Sequence, residues 1–507
     1  MSGSWRLASV ALLSFSSGLP LGLVWIAIPA WMARAGIDIK VIGLFTLAQA
    51  PWSFKLLWSP SMDRYPPPFL GRKRGFILLA QVALLALGLG LAGVARHPEA
   101  VWVIGAFALA IAFASATQDI AIDAYAVEVL QRDEQGIATG ARTALYRAAM
   151  LLAGGVAITL AAWTSWTFVN VALALLYLPM MLVTWRAPEP EALPPPPRSL
   201  REAVWGPFVG FLGQHRALEI LAFVVLFKLA ENLAMSLTRP FLVQVGFGDV
   251  DVGIATATIG QVAMILGTMA GGVLTDRMGL GRALWIFGVV QLVANLGYAA
   301  VAQVGVNRPV MYTAQALEYV TSGLAAGAFG VLLLRLTQKR FSATQYALLS
   351  SLFTLPRILA GPVAGVLADT IGWRNFFLST PLFGIPGLVM LARFLPWGVR
   401  DVEFEVQEPV RRAPLSRSAL VLRSVLGGGC GLLAGVSAVA LVGGLGGVRA
   451  HRGFTVAPAL RALVHPARIG EWTAIVGVLV LAGLVGLATA ATLVARRGAP
   501  TPPEGAQ

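Results

Sequence analysis

The stretch Met62-Asp63-Arg64-Tyr65-Pro66-Pro67-Pro68-Phe69-Leu70-Gly71-Arg72-Lys73-Arg74-Gly75 joins two long apolar segments. It opens on an acid, turns at three prolines and closes on three consecutive cations. A weaker copy, Thr275-Asp276-Arg277-Met278-Gly279-Leu280-Gly281-Arg282, follows 213 positions later, again between apolar segments. Short loops rich in Lys and Arg stay on the cytoplasmic side of a membrane. One such loop in each half predicts a duplicated chain whose parallel halves rock about a central site. Asp63, Arg64, Gly71, Arg72 and Lys73 in the first loop, and Asp276, Arg277, Gly281 and Arg282 in the second, are the candidate gating residues. Asp63–Arg72 and Asp276–Arg282 are the expected latching pairs.

The bulk numbers agree with a membrane solvent. The 507 residues are 57% hydrophobic and 12% charged, with mean hydropathy +0.75. Soluble domains carry about 25% charged residues. The net charge of +14 lies mostly in short loops at the ends of apolar segments, a mark of membrane orientation rather than of nucleic-acid binding. A single cysteine, Cys430, excludes an internal disulfide and a cysteine metal cluster. The four histidines, His97, His215, His451 and His465, show no metal-ligand spacing, and no phosphate-cradling Gly-Lys loop is present. The chain is therefore expected to use no metal, no cofactor and no ATP.

Apolar segments of about 20 residues, the length that crosses the hydrocarbon, recur along nearly the whole chain. The predicted fold is all-α, two six-helix bundles followed by two further transmembrane helices, fourteen spans in all. The first bundle occupies 1–186, with spans near 7–32, 41–62, 76–95, 101–128, 138–162 and 166–185. The first span is too long for a signal peptide and reads as retained. A Pro-rich, charged linker covers 187–216. The second bundle, 217–397, has spans near 218–244, 252–275, 283–304, 310–336, 343–369 and 375–395. A polar linker at 398–417 precedes spans near 419–448 and 471–495, within a unit 418–496, and 497–507 reads as a disordered tail.

The halves also match at Ala153-Gly154-x-Val156-Ala157 with Trp166 and Ala360-Gly361-x-Val363-Ala364 with Trp373, at a common offset of 207. With the N-terminus inside, the even connections hold Arg72, Lys73, Arg74, Arg198, Arg201, Arg277, Arg282, Arg335, Lys339 and Arg340, while the odd ones are nearly free of cations. One connection disobeys: 449–470 contains Arg449, Arg452, Arg461 and Arg468, yet fourteen spans place it outside.

Charges inside the spans are the candidate working residues. An ionisable side chain at the bilayer centre costs about 2.5–3.5 kcal/mol on insertion scales, so it generally serves a purpose. Asp119 and Asp123 in the fourth span are four apart and share a helical face. They are candidate proton carriers; the alternative is ion pairing with Arg142 or Arg147 of the fifth span. Glu318 in the tenth span, without an obvious local partner, is a third candidate carrier. Arg147 and Arg357, on matching spans of the two halves, suit bidentate contacts with cargo carboxylates or interhelical salt bridges. Lys228 and Glu231 neutralise one another or face the cavity, and Lys55 either snorkels or faces it too. Trp52, Tyr125 and Tyr146 belong to an aromatic cluster suited to stacking on sugars, although interfacial anchoring is the commoner use of such rings.

Taken together, Phe15-Ser16-Ser17-Gly18-Leu19-Pro20-Leu21, Ala30-Trp31-Met32, Phe54-Lys55 with Leu57-Trp58-Ser59-Pro60, the Asp63 and Arg72 loop, Gln118-Asp119 with Asp123-Ala124, and Tyr146-Arg147 resemble the AmpG-type muropeptide permeases of the major facilitator superfamily. From Lys228 to Trp397 the likeness is to the superfamily at large, and Ala126 stands where such permeases usually carry a basic residue. The resemblance implies a proton-driven importer in the bacterial inner membrane, multi-pass with its N-terminus cytoplasmic. Its cargo would be N-acetylglucosaminyl–anhydro-N-acetylmuramyl peptides moving from periplasm to cytoplasm for peptidoglycan recycling, a flux linked to β-lactam resistance. Gln118, Lys55, Arg147, Tyr146, Trp52, Tyr125, Lys228, Glu231 and Arg357 are then the expected cargo contacts. Partners would be the sugar-peptide, protons and membrane lipid, with no nucleic acid and no obligate protein. The alternatives are a transporter of another solute, such as acetyl-CoA, a drug or a sugar, and a membrane-embedded enzyme on sugar-lipid intermediates, for which the paired loops have no role.

Overall fold

A computed structural model describes residues 3–97, 99–190, 193–214, 216–401, 404, 415–449, 453–467 and 469–497. Among these, twelve helices are long and apolar enough to cross a membrane, from Gly3–Arg34 to Gly477–Ala495. The expected span at 41–62 is not among the twelve, for a local reason, and that at 343–369 includes side chains that lie outside the described residues. The second is broken into short helical pieces between Ile39 and Arg64, two of which restart at Pro51 and Pro60. A proline removes one helical hydrogen bond and clashes with the preceding turn, so it is tolerated only at such starts. The eleventh and twelfth run together as Ser342–Phe394, divided only at Gly372, whose φ of +75° breaks the helical path.

Packing distinguishes the two ends of the molecule. At the end carrying the linker, one continuous core includes residues of both bundles: Val127 and Leu130 of the fourth span, Leu332 and Leu336 of the tenth, and Phe211 and Leu212 of the linker helix Leu200–Leu212. Toward the opposite end the cores separate, one around Trp31, Ala108 and Val169 and the other around Phe241, Tyr298 and Phe377. The bundles are thus joined on the linker face. In lipid this joining relies on close van der Waals contact rather than on expelled water. Gly136 and Gly140 of the fifth span meet Gly272 and Met269 of the eighth so closely that a Cβ on Gly272 would collide with the Gly136 carbonyl.

The linker helix starts at Ser199, whose hydroxyl accepts from Glu202 N at 3.1 Å, a side-chain cap. It packs on Ser59–Arg64 of the first bundle, on the eleventh span of the second, and on the last helix. The appended helices, Arg417–Arg449 and Ile469–Arg497, pair with each other and leave their outer flanks exposed. Ala491 of the last helix is buried in the linker-face core. The described part of the connection between the appended helices therefore lies at the opposite end.

Candidate functional site

The fourth span places Asp119 and Asp123 where the bundles meet, one turn apart, as the four-residue spacing dictates. Their surroundings differ. Asp123 forms an ion pair with Arg142 and lies 3.6 Å from Lys55 Nζ, with all three side chains no more than 16% exposed. Arg142 also reaches Ser14 Oγ at 3.3 Å. Asp119 accepts a hydrogen bond from the Ser17 hydroxyl of the first span. Tyr146 stands in the field of both acids and of Arg142 and Arg147. Arg147 donates to Gln261 Oε1 of the eighth span at 3.2 Å, a polar contact between the bundles.

The second bundle holds its own polar core. Lys228 pairs with Glu231, which also accepts from Gln291 and, at 2.5 Å, from Ser322 Oγ. Glu318 is fully buried, and the Asn295 amide, oriented to donate, lies 2.7 and 3.0 Å from its oxygens. Glu318 therefore has a partner that its own span did not reveal.

Both acidic loop residues cross between the bundles, and here the latch pairings inferred from sequence are corrected. Asp63 does not pair with Arg72. It accepts from Lys73 Nζ at 2.7 Å, from Ala343 N at 3.2 Å, and from Thr344 N and Oγ1 at 2.9 and 2.7 Å. Arg72 instead donates to the Arg340 carbonyl at 2.7 Å and to the Pro194 carbonyl at 3.2 Å. The reason is geometric: Gly71, with φ +71°, turns the chain so that Lys73 points inward and Arg72 toward the linker. Glu128, 4.0 Å from Lys73, accepts from Ser342 Oγ at 2.6 Å and extends the contact.

Asp276 likewise ignores Arg282, which is exposed, and accepts from the Gly136 and Ile137 amides, each at 2.8 Å. Beside it, Arg335 reaches Gln135 Oε1 at 3.2 Å and Asp401 at 2.6 Å. Asp401 and Arg400 strap the second loop, accepting from Leu280 N at 3.2 Å and Gly281 N at 2.9 Å, while Arg400 donates to the Arg277 carbonyl. Partial burial would raise the Asp401 carboxyl, but the bonds from Arg335 and Leu280 N outweigh it and hold the group below its usual range. A cavity of about 650 Å³ lies at this face, lined among others by Glu128, Gln135, Arg335 and Lys339.

Other expected contacts lie elsewhere. Gln118 is fully buried inside the first bundle and donates to Ser16 Oγ at 2.6 Å, because one residue's rotation turns it away from the face of Asp119. Tyr125 is buried at the linker face and donates to the Pro188 carbonyl at 2.7 Å. Trp52 packs edge-on against Trp25 at 6.1 Å, and Arg64 lies 5.1 Å over the Tyr65 ring instead of joining a latch. The side chain of Arg357 falls outside the described residues. Sequence reasoning missed Ser17, Gln261, Thr344, Gln135 and Asp401. Of these only Asp401, an acid just after the twelfth span, carried a usable signal.

The profile of the Major Facilitator Superfamily matches residues 10–360. The human organic anion transporter MFSD10 covers 77% of this chain and is itself wholly covered, with TM-score 0.59 at 16% identity. The proton:xylose symporter XylE gives TM-score 0.57 at 11% identity over 78% of this chain and 96% of its own. The anhydromuropeptide permease of Escherichia coli K12 is 41% identical over 388 residues, 76% of this chain and 79% of that one. A putative AmpG transporter of Rickettsia felis is 30% identical over 399 residues, 76% of this chain and 96% of its own. The chain belongs to the major facilitator superfamily and, within it, to the anhydromuropeptide permease family.

Proposed function

We propose that this chain imports anhydro-muropeptides across the bacterial inner membrane, driven by protons and by alternating access. The linker face is then cytoplasmic, in accord with its Lys and Arg content. On that reading the arrangement is outward-facing, and Asp63 and Asp276, whose hydrogen bonds cross between the bundles on this face, close the inner gate. The observation that carries the reading is the cluster of Asp119, Asp123, Lys55 and Arg142 at the bundle junction. Two carboxylates against two cations form a balanced set that an anionic cargo or a proton would disturb. A cargo carboxylate arriving at Arg142 or Lys55 competes with Asp123, and a proton on Asp119 or Asp123 frees a cation to receive it. Arg147 and Gln261 link both bundles at the same place, so cargo bound there biases both. In the second bundle, Glu231 and Glu318 face one ammonium, Lys228, so that pocket is neutral only with one proton aboard; Glu318 is the second candidate carrier.

The test is uptake of labelled N-acetylglucosaminyl–anhydro-N-acetylmuramic acid and its tripeptide form into vesicles under an imposed pH gradient. Gradient-dependent uptake by wild type, lost in Asp119→Asn or Asp123→Asn, is the expected result. Failure of wild type to take up either solute would sink the cargo assignment.

A further inference from the structure

The fifth and eighth spans run antiparallel and touch across the bundle junction in a single register. On the linker face Gly136 meets Gly272, where a Cβ on either would strike the other's carbonyl. Eleven positions along the fifth span and eleven back along the eighth, Arg147 donates to Gln261. Eight further in each direction, the same register sets Gly155 opposite Gly253. Here the contact is open: a Cβ on either glycine would meet nothing within 4 Å beyond its own helix turn. At this level each span is held within its own bundle instead. Gly154 packs on Ile26 of the first span, and Gly260 on Tyr319 of the tenth.

Both spans also leave the α-helical path at this level. Leu152–Val156 and Ile254–Ile259 are π-helical, the first containing Gly155 and the second starting directly after Gly253. Eight α-helical residues overshoot two full turns by about 80°. A π turn takes more residues per revolution and recovers part of that angle, so each glycine is brought back toward the face that holds Arg147 or Gln261. Such widened turns are frequent at the working positions of helices.

We propose that Gly155 and Gly253 are the second half of a two-ended latch. When the bundles part at Gly136 and Gly272, they close on each other at Gly155 and Gly253 on the opposite face. Glycines let two helices approach to backbone contact in lipid, as Gly136 and Gly272 already do. The inference rests on alternating access, as proposed above, and on neither the cargo nor the proton.

Thr159 and Asp249 lie one turn beyond the glycines in the same register, and both are exposed. The full-length protein carrying Thr159→Cys/Asp249→Cys in a Cys430→Ser background is treated in membranes with a short bis-maleimide, and the linked peptides are read by mass spectrometry. Cross-linking is expected, with uptake lost in the linked protein. Gly155→Val and Gly253→Val fit the open space of this structure and should reach normal membrane abundance. Each should nonetheless lose uptake and lower the cross-link about tenfold, the effect of overpacking one close contact. Gly93→Val in the third span, equally open but outside the register, should change neither. Undiminished cross-linking in both Gly155→Val and Gly253→Val would overturn the proposal. Absence of any cross-link overturns it as well, and uptake persisting in that protein would show that the glycine latch fails while the carrier function stands. Cross-linking that responds to the glycines, in a protein that takes up no muropeptide, would uphold the latch and sink the cargo assignment.

Discussion

Asp63 and Thr344 lie in different bundles, 281 positions apart, and are joined twice: the Thr344 backbone N–H and hydroxyl both donate to Asp63 Oδ2. The eleventh span begins after Phe341, which supplies no side-chain cap. Its first amides carry no intrahelical partner and the positive end of the helix dipole. Asp63 caps that helix from the other bundle, and Lys73 balances its charge. Helix capping and contact between the bundles are therefore one interaction.

Asp63→Asn keeps the shape but weakens charge-assisted bonds, each worth about 1.5–3 kcal/mol. The population should shift toward an open linker face by one to two orders of magnitude. Spin labels at the exposed positions Asp133 and Lys339 would report it as a longer distance distribution; an unchanged distribution would show that the gate does not depend on this carboxylate.

Gly272→Val should leave the helices inserted yet block closure, since the new side chain meets the Gly136 carbonyl and the Gly140 amide. Normal membrane abundance with loss of uptake is the expected pair of results. Normal uptake would mean that the fifth and eighth spans need not touch in the working cycle.

The two central acids should behave differently when neutralised. Asp123→Asn strands Lys55 and Arg142, and removing one member of a buried ion pair costs about 3–5 kcal/mol. Thermal unfolding in detergent should fall clearly, with partial recovery in Asp123→Asn/Lys55→Met. Asp119→Asn removes a group whose hydrogen bond comes from a neutral hydroxyl, so stability should hold while gradient-driven uptake is lost. Equal destabilisation by both would contradict this division.

The all-helical membrane fold was legible from the spacing of apolar segments, and Asp63 and Asp276 were legible as a paired feature of two loops. The partners of those acids were not. Asp63 and Asp276 bind backbone amides at the starts of the eleventh and fifth spans, and any residue supplies an amide, so no side-chain pattern marks it. Gln118 and Asp119 are adjacent in sequence, yet helical rotation buries Gln118 against Ser16 and leaves Asp119, bonded to Ser17, half-buried. Asn295 was invisible as the partner of Glu318 because it comes from a different span.

The strap at Asp401 gives a pH prediction with a definite sign. Its carboxyl is held low, so the contact contributes above the ordinary carboxylate range and is lost only as pH falls through the lowered value. The uptake of Asp401→Asn relative to wild type should be reduced and flat from about pH 5.5 to 8. A ratio that climbs toward one at the acid end would show that Asp401 itself takes up protons in the working range.

Dry contact at Asp63 carries one more consequence. The carboxylate is fully buried against the first turn of the eleventh span. When the bundles part there, solvent must fill in on both sides, around the freed anion and over the uncapped amides. Each cycle then draws in and expels a set number of water molecules besides its cargo. Turnover at a fixed driving force should fall as osmolyte lowers water activity, making the carrier sensitive to the osmotic state of the cell.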